Sequence, residues 1–166
     1  MSFNMLAQSY THSQFSSHVI HENALEWKNR SPLIIKEIVQ YSPDVLCLQE
    51  CDSWQDFISP EMDRHGYEGV FKQKTDGKKD GVAILWKKDR FKLEESDAVE
   101  YGIRTGVGLI VSLSAVSPSA AQEDSRDDAV VFATTHLFWD PAVEFIKLRQ
   151  SQMFLCRASQ VGTSTS

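Results

Sequence analysis

The chain has 166 residues, of which 42% are hydrophobic, and its 17 basic and 23 acidic side chains give a formal net charge of -6. This length and composition predict one globular domain with a hydrophobic core. The acidic balance argues against a broad basic surface that holds duplex nucleic acid through counterion release. A local phosphate site bridged by a metal ion is compatible with that balance.

The three cysteines, Cys47, Cys51 and Cys156, form no C-x-x-C pair, and the sequence shows no secretory signal. Cysteines in that context are typical of reduced thiols inside the cell, so we interpret all three as buried packing residues. No stretch approaches the roughly 20 apolar residues of a membrane span. We therefore expect a soluble protein with no membrane partner, located in the cytoplasm or, as the alternative, in the nucleus.

The first third of the chain predicts a strand, a helix and a second strand. "SFNMLA" is a short strand that contains Asn4, and "DVLCLQE" is a buried strand that ends in Glu50. Between them "RSPLIIKEIVQY" predicts a helix with Ser31 as its N-cap and Pro32 at its first position. Its predicted buried face consists of Ile34, Ile35, Ile38 and Val39.

The rest of the chain continues to alternate between predicted helices and strands. "DSWQDFISPEMDRHG" predicts a helix or helix pair interrupted at Pro60, and "YEGVFKQ" and "DGVAILWK" predict strands joined by "TDGKKDG". The apolar runs "VGLIVSLSAV" and "AVVFATTHL" flank an acidic loop at about 115–128, which we expect to be flexible. From Pro141 a helix carries Phe145, Leu148, Gln152 and Leu155 at helical spacing, before a tail, 159–166, expected to be disordered. The pattern predicts a layered α/β fold.

Three polar residues lie at or near the carboxyl ends of predicted strands: Asn4, Glu50 and His136. Open α/β sheets place their sites at that edge. A lone carboxylate there suits Mg²⁺, which is often held by one or two carboxylates, water and a substrate phosphate. Glu50 is then the metal ligand, Asn4 orients Glu50 or the phosphate, and His136 donates to a phosphate oxygen. The alternative is that each merely caps a strand or faces solvent.

Four motifs occur in a specific order: "SFNMLAQSY", "SPDVLCLQE", "KKDGVAILWKK" and "TTHLFWDP" followed by "KLRQ". Together they resemble the endonuclease/exonuclease/phosphatase superfamily, and most of all its branch of carbon-catabolite-repressor type deadenylases, nocturnin, Angel and the 2′,5′-phosphodiesterases. The resemblance implies a four-layer α/β/β/α sandwich and metal-dependent removal of 3′ nucleotides from RNA, often from poly(A). It implies catalytic roles for Asn4, Glu50 as the Mg²⁺ ligand, and His136, and a nucleotide pocket lined by Trp139 and Pro141.

The chain departs from this pattern in two ways. Phe138 stands where many deadenylases have a second histidine, as in more divergent RNA exonucleases, which weakens the case for poly(A). The second-half motifs Gly-Asp-Phe-Asn and Ser-Asp-His are absent from the 166 residues. We therefore expect residues 1–158 to form the first half of the sandwich, as one mixed sheet with helices on one face and the other face bare. Such a fragment, truncated gene model or short isoform is predicted to be inactive by itself and prone to associate.

Several residues have two interpretations. Asp80 either contacts substrate or forms an Asp-Gly turn, and Trp139 either stacks on a base or covers a sheet edge. The pair His18 and His21 lacks a third ligand at zinc spacing and is read as solvated. A lysine cluster either contacts a phosphate backbone or forms a solvated hairpin; its members are Lys72, Lys74, Lys78, Lys79, Lys87 and Lys88.

The function predicted from these features is a Mg²⁺-dependent 3′-exoribonuclease acting on single-stranded RNA ends. Two alternatives stay open. One is a phospholipid or inositol-phosphate phosphodiesterase with the same fold, and the other is a non-catalytic half-domain with an interaction or regulatory role.

Overall fold

The computed structural model describes residues 1–15, 21–116 and 129–161. Two sheets are present in this part of the chain. The first has the strand order β1-β2-β4-β3 and the second the order β5-β6-β7. The strands are β1 Ser2–Asn4, β2 Val45–Cys51, β3 Tyr67–Gln73, β4 Gly81–Lys87, β5 Phe91–Glu100, β6 Val107–Ala115 and β7 Val130–His136. The predicted α/β class is confirmed.

Four α-helices accompany the sheets in the described residues: α1 Gln8–Phe15, α2 Trp27–Tyr41, α3 Ser59–Arg64 and α4 Glu144–Ala158. Short 3-10 turns cover Glu22–Leu25 and Pro141–Val143, and one turn of π-helix at Trp54–Ile58 leads into α3. In the described segments, no helix combines the length and the apolar character needed to cross a membrane.

Three apolar clusters hold the layers together. One packs α2 and α3 on the outer face of the first sheet, where Ile38 and Met62 meet Leu85. A second fills the space between the sheets with alternate residues of β4 and β6, such as Trp86 and Leu109. The third packs α4 against the second sheet. The order of layers is therefore α/β/β/α.

The expectation of one sheet with a bare face is wrong. Residues 107–114 of β6 are all buried, because one face of β6 packs against the first sheet and the other lies under α4. A strand covered on both faces reads as a continuous apolar run, and such a run does not reveal the sheet to which it belongs. The prediction that the chain associates through a bare sheet face therefore no longer follows.

Helix α2 begins earlier than predicted. It starts at Trp27, so Ser31 is not its N-cap and Pro32 lies inside it, where the Lys28 carbonyl loses a donor. Contacts of the first turn explain the early start, because Trp27 packs edge-on against Phe57 with ring centroids 5.5 Å apart. The residues buried along the helix are Ser31, Ile34, Ile35 and Ile38, and the predicted core position Val39 is exposed.

The buried face of the carboxyl-terminal helix α4 also differs from the face predicted by the helical spacing of its apolar residues. Its buried residues are Ile146, Gln150 and Phe154, whereas the spaced residues Phe145, Leu148 and Leu155 are exposed. After the helix, Val161 is 6% exposed and packs with Phe154, so the expected tail has an apolar anchor. Residues 162–166 and most of the predicted acidic loop, 117–128, lie outside the described residues, as does His18.

The cysteines divide into three environments. Cys51 is buried, Cys47 is half-buried and Cys156 is exposed on α4, so the packing interpretation is wrong for Cys156. Burial raises the pKa of the Cys51 thiol to about 12. Trp86 is buried between the sheets, and Trp27 packs against the outer cluster.

Candidate active site

Glu50 occupies an irregular position near the end of β2. The pairing of β2 with β4 shifts register between Gln49 and Cys51, so Glu50 lies on a bulge. Its φ angle of 55° falls in the left-handed region, which residues other than glycine rarely adopt. A bulge redirects the side chain of the extra residue, and residues held in this way are common at functional sites.

The Glu50 carboxylate is held by groups from distant parts of the chain. Its Oε1 accepts a hydrogen bond from Nδ2 of Asn4 at 2.9 Å, and its Oε2 accepts one from the backbone N–H of Ala7 at 3.1 Å. Nε2 of His136 lies 3.6 Å from Oε1. The structure therefore brings Asn4, Glu50 and His136 together, as expected.

The three residues come from two sheets, which differs from the expected single rim. Asn4 ends β1 beside β2, and His136 ends β7 in the second sheet. A hydrogen bond of 2.9 Å from Nε2 of Gln49 to Oγ1 of Thr134 joins the two sheets next to the site. The site thus lies at one end of the sandwich, across the gap between its layers.

A half-buried arginine, Arg30, holds the segment after β1 in place. Nη2 of Arg30 donates to the carbonyl oxygens of Met5 and Leu6, both at 2.5 Å. Leu6 has a φ angle of 57°, and its N–H donates to Oδ1 of Asn4 at 2.9 Å. Since both polar atoms of the Asn4 amide are engaged, its Nδ2 is directed at Glu50.

Asp80 is fully buried beneath the site. Its Oδ1 accepts from the Tyr10 hydroxyl at 2.8 Å, and its Oδ2 accepts from Nζ of Lys74 at 2.6 Å. Burial and the adjacent Asp80 carboxylate raise the pKa of Tyr10 above its usual range. Asp80 therefore does not reach the surface of the cleft, and the hairpin turns elsewhere, at Asp76 and Gly77, which both have positive φ angles.

His136 is half-buried, and its Nδ1 is buried with no hydrogen-bond partner among the described residues. Burial lowers the pKa of His136, and the positive charge of Lys74 lowers it further, while Glu50 and Asp80 oppose the shift. The imidazole is therefore neutral near pH 7. A neutral imidazole carries one N–H donor and one acceptor nitrogen.

A half-open cleft of about 760 Å³ lies over this constellation. Trp139 lines the cleft and is 78% exposed, whereas Pro141 is not part of the lining. From the lysine cluster, Lys74 and Lys78 contribute to the cleft. The full lining is Tyr10, Glu50, Lys74, Lys78, Arg104, Thr105, Gly106, His136, Leu137, Phe138 and Trp139.

The sequence reasoning missed Tyr10 and Arg104. Tyr10 belongs to the quoted motif "SFNMLAQSY", but a tyrosine in a helix carries no signal of the buried Asp80 it contacts. Arg104 lies in "GIRTG", a basic residue flanked by glycines between two predicted strands. Loops at strand ends often carry binding residues, so the position of Arg104 in such a loop is the feature of the sequence that could have identified it.

The cleft offers the ligand set of a hard cation bound by one carboxylate. In the described parts of the chain no group of three His, Cys, Asp or Glu side chains could hold a metal ion. Glu50 is the carboxylate that lines the cleft, and its neighbour is an amide, not a thiol. This donor set fits Mg²⁺, which takes oxygen ligands and keeps several waters, and it does not fit a structural zinc site.

Comparison with known proteins identifies the family. The profile of the "Endonuclease/Exonuclease/phosphatase family" matches residues 1–143, which carry Asn4, Glu50 and His136. The chain belongs to this family. Within the endonuclease/exonuclease/phosphatase family its relatives include the Angel proteins, the carbon catabolite repressor protein 4 homologues and nocturnin, the branch that the motifs indicate.

Two relatives illustrate the similarity. Protein angel homolog 2 of Danio rerio is 37% identical over 171 residues, which cover 97% of this chain and 29% of that protein. RNA exonuclease NGL2 of Saccharomyces cerevisiae is 30% identical over 171 residues, which cover 93% of this chain and 33% of that protein. The chain thus spans about a third of the length of these two members of the endonuclease/exonuclease/phosphatase family.

A solved structure supports the same assignment. The crystal structure of ANGEL2, described as a 2′,3′-cyclic phosphatase, in complex with adenosine-2′,3′-vanadate superposes with a TM-score of 0.84 at 34% identity. The superposition covers 96% of this chain and 47% of that one. The fold is therefore that of the endonuclease/exonuclease/phosphatase family over the part of the chain that superposes.

Proposed function

We propose that this chain carries the Glu50 half of the catalytic site of a Mg²⁺-dependent hydrolase that shortens RNA from its 3′ end. The observation that carries the proposal is the Glu50 carboxylate, held by Asn4 and the backbone of Ala7 beside His136, in a cleft lined by aromatic and cationic side chains. This arrangement combines a ligand for Mg²⁺ with groups that bind a nucleotide.

Each residue has a separate task in the proposed reaction. Glu50 would hold Mg²⁺, which would supply positive charge for the phosphoryl oxygens as negative charge develops on them. Asn4 holds the Glu50 carboxylate in one orientation through its Nδ2. The neutral His136 donates a hydrogen bond to a phosphate oxygen, and that bond strengthens as negative charge grows in the transition state.

The substrate assignment rests on the stacking surface and on a relative. Trp139 exposes most of its ring at the cleft, and base stacking on an aromatic ring is worth about 1–3 kcal/mol and tolerates any base. RNA exonuclease NGL2 is 30% identical to this chain. Both observations support a single-stranded RNA end as the substrate.

A second candidate has its own support. ANGEL2 is described as a 2′,3′-cyclic phosphatase, and it is 34% identical with a TM-score of 0.84. A 2′,3′-cyclic phosphate at an RNA end is itself a phosphodiester, so the same metal ligand and hydrogen-bond donors serve its hydrolysis. The two reactions differ in the leaving oxygen. When a 3′ nucleotide is removed, this oxygen belongs to the penultimate nucleotide, and when a 2′,3′-cyclic phosphate is opened, it belongs to the terminal ribose.

We also propose that the 166-residue chain has negligible turnover by itself. The described lining of the cleft contains one carboxylate and one histidine, and this histidine faces the carboxylate. General acid-base catalysis contributes about 10²–10⁴ in rate, and the loss of nucleophile-orienting groups adds to that deficit.

The test uses a chimera of protein angel homolog 2 in which this chain replaces the matching segment. RNA 20-mers ending in a 3′-hydroxyl or in a 2′,3′-cyclic phosphate are incubated with Mg²⁺ or EDTA. We expect Mg²⁺-dependent shortening of the first RNA, and conversion of the second alone would favour the second candidate. Glu50→Gln should abolish turnover, while Glu37→Gln, a matched change at an exposed position of α2, should not.

Two results would contradict these proposals. Full activity of the Glu50→Gln chimera would remove Glu50 from the site. Shortening of RNA by the 166-residue chain alone, lost in its His136→Ala variant, would refute the proposed inactivity. No turnover of either RNA by a folded chimera would favour a non-catalytic role.

A further inference from the structure

The loop between β5 and β6 places an arginine in the cleft. Arg104 has a φ angle of 62° and Gly102 one of 63°, so the loop turns sharply at both residues. The guanidinium of Arg104 lies 5.2 Å from the ring centroid of Phe138. No carboxylate in the described part of the chain forms an ion pair with Arg104.

A buried glutamine ties this loop to the strand exit that carries Phe138. Gln150 of α4 is fully buried, and its Nε2 donates to the carbonyl oxygen of Ile103 at 2.9 Å. Its Oε1 accepts from the N–H of Phe138, also at 2.9 Å. One amide therefore fixes the residue before Arg104 and the backbone of its ring partner, which keeps the guanidinium over the Phe138 ring.

The charge of Arg104 remains available to a ligand. Lys74, another cation of the cleft, is paired with Asp80 at 2.6 Å, and Lys78 lies over the Tyr10 ring at 6.0 Å. An arginine that stacks on an aromatic ring keeps its in-plane N–H groups free, and these match two oxygens of a phosphate.

We propose that Arg104 binds an internucleotide phosphate of the RNA, with Phe138 as its platform and Gln150 as a positioning residue. The inference rests on the proposed function, in which Glu50 and His136 bind the phosphate that reacts. No hydrogen bond or ion pair joins Arg104 to either residue in the described structure, and we assign it to a different phosphate of the same strand. A ligand with a single phosphate does not need it, whereas a longer strand does.

The experiment measures binding of a 5′-fluorescein-labelled 10-nucleotide oligoadenylate to the 166-residue chain by fluorescence anisotropy in EDTA, which prevents metal-dependent hydrolysis. Arg104→Gln should weaken binding by about tenfold, because one charge-assisted contact is lost. The slope of log Kd against log salt should fall by about 0.7, the value for one phosphate contact on a single strand. Adenosine monophosphate should compete equally well in both proteins.

Arg149→Gln is the matched control, since Arg149 is exposed on α4 and lines a different groove. It should leave the affinity and the salt slope unchanged. Phe138→Leu should weaken oligoadenylate binding with an unchanged unfolding temperature, and Phe138→Tyr should restore it. Phe138→Leu removes the aromatic ring and Phe138→Tyr keeps it, so the two variants together test whether the ring is the platform.

The outcomes separate the two proposals. Wild-type affinity and salt slope in Arg104→Gln would overturn the assignment of Arg104 while the proposed function stands. An equal loss in Arg149→Gln would also overturn it, because the effect would then be general charge attraction. No binding of oligoadenylate by the wild-type chain would also overturn the assignment of Arg104, whereas the proposed function is overturned by a folded chimera that turns over neither RNA.

Discussion

Replacement of Asp80 by asparagine tests the buried ion pair beneath the cleft. The side chains of Lys74 and Asp80 are 8% and 1% exposed, with Nζ and Oδ2 2.6 Å apart. Asparagine keeps the shape and can still accept from Tyr10, but it leaves the Lys74 charge without its counterion. Removal of one partner from a buried pair costs about 3–5 kcal/mol, because an uncompensated charge remains. For a chain of this size that loss lowers the unfolding temperature by about 6–20 °C.

The assay is thermal unfolding followed by circular dichroism. Asp97→Asn is the control: it is the same substitution in the Arg157 pair, where the arginine side chain is 55% exposed. An exposed pair contributes about 0–1 kcal/mol, so this variant should unfold near the wild-type temperature. The double variant Lys74→Met, Asp80→Asn should recover much of the loss, since both charges are then removed. Equal unfolding temperatures for Asp80→Asn and Asp97→Asn would refute the reasoning.

Two further predictions concern thiols and the aromatic residue at the cleft. Because Cys156 is exposed and burial raises the pKa of Cys51 to about 12, alkylation at pH 8 followed by mass spectrometry should modify Cys156 first and Cys51 only on unfolding. Rapid labelling of Cys51 in the folded chain would contradict the packing of β2. Trp139→Ala should weaken oligoadenylate binding by about 5–150-fold, the equivalent of 1–3 kcal/mol, while the change of another exposed aromatic residue, Phe145→Ala, should have no effect. Similar losses in both variants would mean that Trp139 has no specific stacking role.

The amino-acid sequence by itself determined the α/β alternation, the strands that end near Asn4, Glu50 and His136, and the family. Local patterns suffice for these features, because the side-chain period and helix signals act over a few residues. The same local reasoning was wrong for α2, whose start depends on a contact between Trp27 and Phe57.

Only the tertiary structure decided how the strands divide into two sheets and what completes the cleft. A strand buried on both faces, such as β6, carries no local sign of the layer that will cover it. The left-handed backbone of Glu50 has no sequence signal either, since the bulge is imposed by its pairing with β4. Arg104 and Phe138 lie together because the buried amide of Gln150 binds the backbone of both segments. A contact that depends on a third element is decided by tertiary packing and cannot be predicted from the spacing of residues in the sequence.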